Sequence, residues 1–88
     1  MQHMPFPPGA KHTFSYPLPA RLAVSVTNTS DNEGSIEIEP SFQPIIEGRH
    51  IPAHHTVVVV ISLHPSTMLR NSGKVELFLS WGLSPSND

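Results

Sequence analysis

The chain contains no cysteine among its 88 residues, so it can form neither a disulfide bond nor a thiolate nucleophile or zinc ligand. Small extracellular domains often depend on disulfides because their cores are small. The absence of cysteine therefore favours a reducing, cytoplasmic environment. A length of 88 residues is enough for one domain.

Charged residues are also few: five are basic and seven are acidic, for a formal net charge of −2. The basic residues occur singly along the chain, at Lys11, Arg21, Arg49, Arg70 and Lys74. Proteins that bind nucleic acids usually cluster Lys and Arg to neutralise phosphates, and anionic lipid surfaces select the same clusters. The sequence therefore predicts that neither nucleic acid nor a membrane surface is the partner.

Long hydrophobic runs and a signal sequence are missing as well. The longest aliphatic run, 57–61, is far shorter than the about 20 residues that a membrane-spanning helix needs. The N-terminus has no basic segment followed by an apolar one, and carries Pro5, Pro7 and Pro8 instead. We expect a flexible, proline-rich segment over 1–11 and no insertion into a membrane.

The periodicity of the apolar residues indicates strands and no helix, because apolar and polar residues alternate with period two in four windows. The windows are 21–28, 35–39, 56–64 and 74–81. The residues expected to face inward are Leu22, Val24, Val26, Ile36, Ile38, Val57, Val59, Ile61, Leu63, Val75, Leu77, Leu79 and Trp81. The large side chains expected to fill the core are Trp81, Phe14 and Phe42.

Polar segments rich in proline and glycine separate these windows and are typical of turns. Two further short edge strands are predicted at 12–16 and 42–46. The pattern predicts an all-β, antiparallel sandwich of six to seven strands over 12–82, followed by a polar tail over 83–88. A seventh strand would come from the N-terminal segment or from another molecule, unless six strands suffice.

Six histidines raise the question of a metal site. His50, His54, His55 and His64 approach the spacing of zinc ligands, but His54 and His55 are adjacent and should point to opposite faces of a strand. The sequence has no glycine-rich phosphate loop and no Gly-x-Ser-x-Gly nucleophile motif. We expect a non-enzyme without metal or cofactor. The alternative, a zinc-dependent enzyme using these four histidines, would contain stoichiometric zinc.

Apolar residues also occur on strand faces that should be polar. Val58 and Val60 make the third window apolar on both faces, and Phe78 is an aromatic residue on the outer face of the fourth. An uncharged, β-prone segment left bare tends to aggregate, so we expect it to be covered. A neighbouring strand or loop, another domain or a partner protein would do so. Val58, Val60 and Phe78 are accordingly the predicted partner-binding residues.

Short motifs along 14–81 resemble the ASH domain, a branch of the major sperm protein and PapD-like group of sandwiches. The motifs are Phe14-Ser15-Tyr16-Pro17, the strand 22–27 followed by Asn28-Thr29-Ser30, the strands 35–39 and 42–46, Ile51-Pro52-Ala53, 57–63 followed by His64-Pro65, and 73–79. Leu63 replaces the phenylalanine that is usual in the family, and the family's last strand is missing or short. The basic face that binds acidic peptides in such domains is not evident.

The resemblance implies an immunoglobulin-like, PapD- or MSP-like sandwich without catalytic activity. It further implies a protein-binding module of a larger cytoplasmic scaffold at centrosomes or cilia, which positions protein partners or self-associates as a homo-oligomer. The alternative is an extracellular or periplasmic sandwich for adhesion or carbohydrate binding. Asn28-Thr29-Ser30 fits the N-glycosylation pattern, which would matter only in that alternative, and a polar turn explains the same residues.

Overall fold

The computed structural model describes residues 3–16, 19–41, 46–63 and 66–83. Within these ranges the chain forms eight strands and no helix. The strands are β1 (Met4–Phe6), β2 (Lys11–Ser15), β3 (Ala20–Thr27), β4 (Gly34–Pro40), β5 (Glu47–Ile51), β6 (Thr56–Leu63), β7 (Ser66–Asn71) and β8 (Leu77–Leu83). They confirm the expected all-β class.

The described strands form two four-stranded sheets, in the orders β1-β8-β3-β6 (sheet A) and β2-β7-β4-β5 (sheet B). All neighbouring strands are antiparallel. The first strand pairs with the last, the second with the seventh, the third with the sixth and the fourth with the fifth. The chain is therefore one long antiparallel ribbon wound into a sandwich, which is the order of an eight-stranded jelly roll.

This order differs from the predicted immunoglobulin-like one. In an immunoglobulin sandwich the last strand lies beside the preceding strand in the same sheet. Here β8 lies between β1 and β3, in the opposite sheet from β7. The two-sheet antiparallel sandwich is confirmed, but the described residues form eight strands and not the six to seven expected.

The N-terminal segment expected to be flexible is ordered from β1 onward. Phe6 is only 1% exposed and belongs to the core, and Lys11 already begins β2. Pro5 fits into β1 because an edge strand can leave one side of its backbone unpaired. Thus β1 and the first residue of β2 lie within the segment 1–11 that was expected to be flexible, whereas most of the predicted tail lies outside the described ranges.

The core lies between the two sheets and consists of alternate residues from both. Its buried hydrophobic members are Phe6, Phe14, Leu22, Val24, Val26, Ile36, Ile38, Ile51, Val59, Ile61, Leu63, Leu69, Leu77 and Leu79. Val57 and Val75, also expected inside, are partly buried against this cluster. Trp81 is the exception, because 39% of it stays exposed. Phe42 lies outside the described residues.

Buried Asn28 ties the end of β3 to two other segments. Its amide nitrogen donates to the carbonyl oxygens of Asn32 (2.8 Å) and Ile51 (3.0 Å), and its oxygen accepts from the backbone and hydroxyl of Ser30. The residue is fully buried. A glycan on this nitrogen would remove one of the two donated protons and has no route to solvent. The geometry therefore favours a polar turn over an N-glycosylation site as the explanation of Asn28-Thr29-Ser30.

A second buried asparagine, Asn71, holds the N-terminal strand in place. Its amide nitrogen donates to the carbonyl oxygens of Phe6 (2.7 Å) and Val75 (2.9 Å), and its side-chain oxygen accepts from the backbone of Gly73 (3.0 Å). Its backbone also donates to the carbonyl oxygen of Ala10 at 3.0 Å. These bonds satisfy backbone groups that would otherwise be buried without partners.

Candidate binding surfaces

Of the four histidines that invited a metal-site hypothesis, His64 lies outside the described residues, and the other three each face a different partner. His54 Nε2 lies 2.6 Å from Asp31, His50 Nδ1 lies 3.4 Å from Glu33, and a ring nitrogen of His55 lies 2.7 Å from a backbone carbonyl oxygen. The described residues contain no group of three or more His, Cys, Asp or Glu able to hold a metal ion. The acidic partners of His50 and His54 were not predicted from the sequence, because they lie far from these histidines along the chain.

Val58 and Val60 lie on the outer face of sheet A and are exposed, at 61% and 47%. Their cross-strand neighbours on β3 are Ser25 and Ala23, which are small and uncharged. We call these four residues the valine face. The predicted outward orientation of the two valines is confirmed, and no described part of the chain covers them.

Phe78 lies on the same outer side of sheet A but apart from the two valines. It is opposite Thr27 of β3 on one side and Pro5 of β1 on the other, and it is half-buried. Strand β3 separates it from β6. The structure therefore places all three predicted binding residues on one face, yet brings only Val58 and Val60 together.

Strand β6 forms one edge of sheet A, since among the described strands it pairs only with β3. Its eight residues, Thr-Val-Val-Val-Val-Ile-Ser-Leu, carry no charge. Natural edge strands usually carry charges, prolines or bulges that prevent pairing with another chain. The opposite sheet follows that rule, because its edge strand β5 carries Glu47 and Arg49, which form an ion pair. Thus β6 is less protected than β5 against pairing with a strand of another chain.

A second apolar surface, which we call the aromatic cleft, opens between β2 and the end of β8. It is lined mainly by His12, Phe14, Tyr16, Trp81 and Leu83, and has a volume of about 470 Å³. The Trp81 ring lies 4.9 Å from Phe14, edge to face, and 5.2 Å from His12. No Asp, Glu, Lys or Arg is among the described residues that line it.

The cleft lies beside the part of β8 that the shorter strand β1 does not reach. β1 covers β8 only at Leu77–Leu79, so Trp81 lies beyond its reach. Trp81 is opposite the buried Val24 and therefore faces the interior, as the alternation predicted. It nevertheless lines an open cleft and does not fill the core, since β2 across from it is an edge strand. A strand pattern shows which way a side chain points but not whether another strand covers it.

Both surfaces are mainly apolar, and no Asp, Glu, Lys or Arg belongs to either of them among the described residues. The described part of the chain includes no helix long and apolar enough to cross a membrane. Comparison of the chain with models of protein families, with curated proteins and with solved structures gave no match.

Proposed function

We propose that the chain is a non-catalytic protein-binding module that associates with a strand of another protein molecule at β6. The observation that supports this best is the exposure of Val58 and Val60 on an uncharged edge strand. An added strand would bond to the free backbone edge of β6, while its outward side chains extend the valine face.

The energy available at this edge is enough for a specific contact of modest affinity. Each cross-strand pair of β-branched residues contributes about 0.2–1 kcal/mol, and the backbone hydrogen bonds of the added strand contribute further. Ordering the partner segment offsets part of that gain. We therefore expect binding to depend on both valines.

We further propose a cytoplasmic scaffold as the setting, at centrosomes or cilia. The support is the absence of cysteine and the short motifs similar to the ASH domain. The jelly-roll order of the strands is not the order of that group, so the proposal for the binding surface rests on β6 and not on the resemblance.

Replacing both valines with glutamate (V58E/V60E) is expected to abolish partner association and leave the fold intact. Both side chains point to solvent, so the charges are tolerated in the isolated domain, but they remove the apolar cross-strand pairs and lose hydration beside an added strand. Proximity labelling in cells, with the wild-type chain beside this variant, measures which neighbours are lost. We expect loss of a defined centrosomal or ciliary set.

The matched control is V58T/V60T, which keeps β-branched side chains of similar size and introduces no charge. It should retain most of the neighbours. An unchanged set of neighbours with V58E/V60E, whose folding is checked by circular dichroism, would show that the valine face is not the binding surface. Neighbours confined to the secretory pathway would favour the extracellular alternative.

The aromatic cleft supports a second candidate function, the binding of a neutral ring-shaped ligand such as a sugar. The exposed Trp81 and Tyr16 offer faces for stacking, and hydroxyl groups at Thr13, Ser15 and Tyr16 line the same cleft. Its volume lies within the range of small-molecule sites, about 300–1,000 Å³. This arrangement suits the carbohydrate-binding alternative.

Trp81 is the only tryptophan of the chain, so its fluorescence reports directly on this cleft. If the cleft binds sugars, titration with neutral oligosaccharides should give a saturable shift of Trp81 emission. The variant Tyr16→Ala should weaken the affinity by about tenfold, the loss of one stacking contact. Emission unchanged across mannose-, glucose- and galactose-based oligosaccharides would remove this candidate.

A further inference from the structure

Seven of the eight residues of β6, 56–62, form a sequence that is chemically symmetric about Val59. Counting outward from that residue, Val58 matches Val60, Val57 matches Ile61, and Thr56 matches Ser62. An antiparallel strand reads in the opposite direction, so β6 is complementary to itself. In such a pairing each residue of 56–62 would meet one of the same chemical type, and only Leu63 would not, because it would lie opposite His55. The central pairs are β-branched residues that stabilise adjacent strands.

We propose that the partner of β6 is a second copy of this chain, paired antiparallel across a two-fold axis through Val59. The inference rests on the proposed binding role of β6 and names the occupant of that edge. The two copies would share one continuous sheet, with sheet A of one molecule extended by sheet A of the next. The contact is isologous, and a closed dimer follows.

The charge distribution permits two copies to meet along this edge. β6 has no charged residue, and the adjoining residues of the valine face, Ala23 and Ser25, are neutral. The nearby edge of the other sheet carries Glu47 and Arg49, one charge of each sign. The net charge of −2 per chain adds little repulsion. Like charges facing each other across such an axis would oppose self-pairing, and β6 offers none.

The test begins with sedimentation equilibrium of the full chain over a range of concentrations. The wild-type protein should show a monomer–dimer equilibrium based on its 9.7 kDa chain. Because Val58 would face Val60 of the other copy, V58E/V60E places glutamates opposite each other. The dissociation constant should then rise by at least about a hundredfold, whereas V58T/V60T should change it by less than about tenfold.

A charge-exchange experiment separates a lost contact from a damaged fold. V58K/V60K should be as monomeric as V58E/V60E, but a mixture of the two should form a mixed dimer, because each glutamate then meets a lysine. Since the chain has no cysteine, V58C and V60C can also be mixed under mild oxidation. A disulfide between the two different variants is expected, because the proposed register places these residues opposite each other.

The variant Ser25→Glu distinguishes edge pairing from stacking of two outer faces. Ser25 belongs to the valine face but lies on the interior strand β3, so it is not at the edge. Its substitution should leave the dimer intact, and a monomeric Ser25→Glu would show face stacking and overturn the proposal. A wild-type monomer at all concentrations would also overturn it, yet the protein-binding role would stand if V58E/V60E still lost its cellular neighbours.

Discussion

Replacing Asn28 with alanine is expected to lower the free energy of unfolding by at least about 3 kcal/mol. The side chain is fully buried and serves as donor to Asn32 and Ile51 and as acceptor for Ser30. Each buried group left without its partner costs about 1–3 kcal/mol. A domain of this size has roughly 4–13 kcal/mol of stability in total, so the variant should be close to unfolding. Urea denaturation followed by circular dichroism measures the loss.

Two controls separate the role of the Asn28 side chain from the general sensitivity of this turn. Asn32→Ala removes an exposed side chain and keeps the backbone carbonyl that Asn28 uses, so its effect should stay within about 0.5 kcal/mol. Ser30→Ala removes one donor to Asn28 and should fall between the two. An Asn28→Ala protein as stable as the wild type would mean that the turn is not held by this residue.

Phe6→Ala is expected to cost about 3–5 kcal/mol, the usual effect of removing a buried phenyl ring. Phe6 is among the largest fully buried side chains, and its carbonyl oxygen also accepts from Asn71. Loss of the ring leaves a cavity beneath β1, the short edge strand of sheet A. The measurement is again urea denaturation, supported by the rate at which a protease cuts the N-terminal segment.

The matched control for Phe6 is His3→Ala, which changes an exposed residue just before β1. Its stability should remain within about 0.5 kcal/mol of the wild type. If Phe6→Ala behaved like His3→Ala, the N-terminal segment would be dispensable, as its prolines first indicated. Comparing the stabilities of Phe6→Ala and His3→Ala therefore decides whether the N-terminal segment is flexible or forms a structural first strand.

Strands β1 and β7 were not predicted from the sequence, and they show where the alternation of apolar and polar residues stops being informative. In β7 the inward residues are Thr67, Leu69 and Asn71, so two of its three buried positions are polar and the apolar alternation is broken. Those polar groups are acceptable inside because they are hydrogen-bonded, Thr67 to the carbonyl oxygen of Ser62 and Asn71 as described. β1 has only three residues, too few for a period to appear.

The candidate surfaces were predictable to different degrees. Val58 and Val60 followed from the sequence, because an apolar residue on the outer face of an alternating strand is visible in the pattern. The aromatic cleft did not, since Tyr16 and Trp81 are distant in sequence and meet only through the pairing of β2 with β7 and β8 with β3. The acidic partners of His50 and His54 depend likewise on contacts between segments that are distant in sequence.

By itself, the sequence determined the all-β class and the facing of residues in its regular strands, because side chains alternate between the two faces with a period of two. It also determined that no disulfide is available. Only the tertiary structure decided which strands are neighbours, since the order β1-β8-β3-β6 joins segments from opposite ends of the chain. That order makes β6 an edge and leaves its valines exposed, because backbone pairing and cover depend on contacts between distant segments.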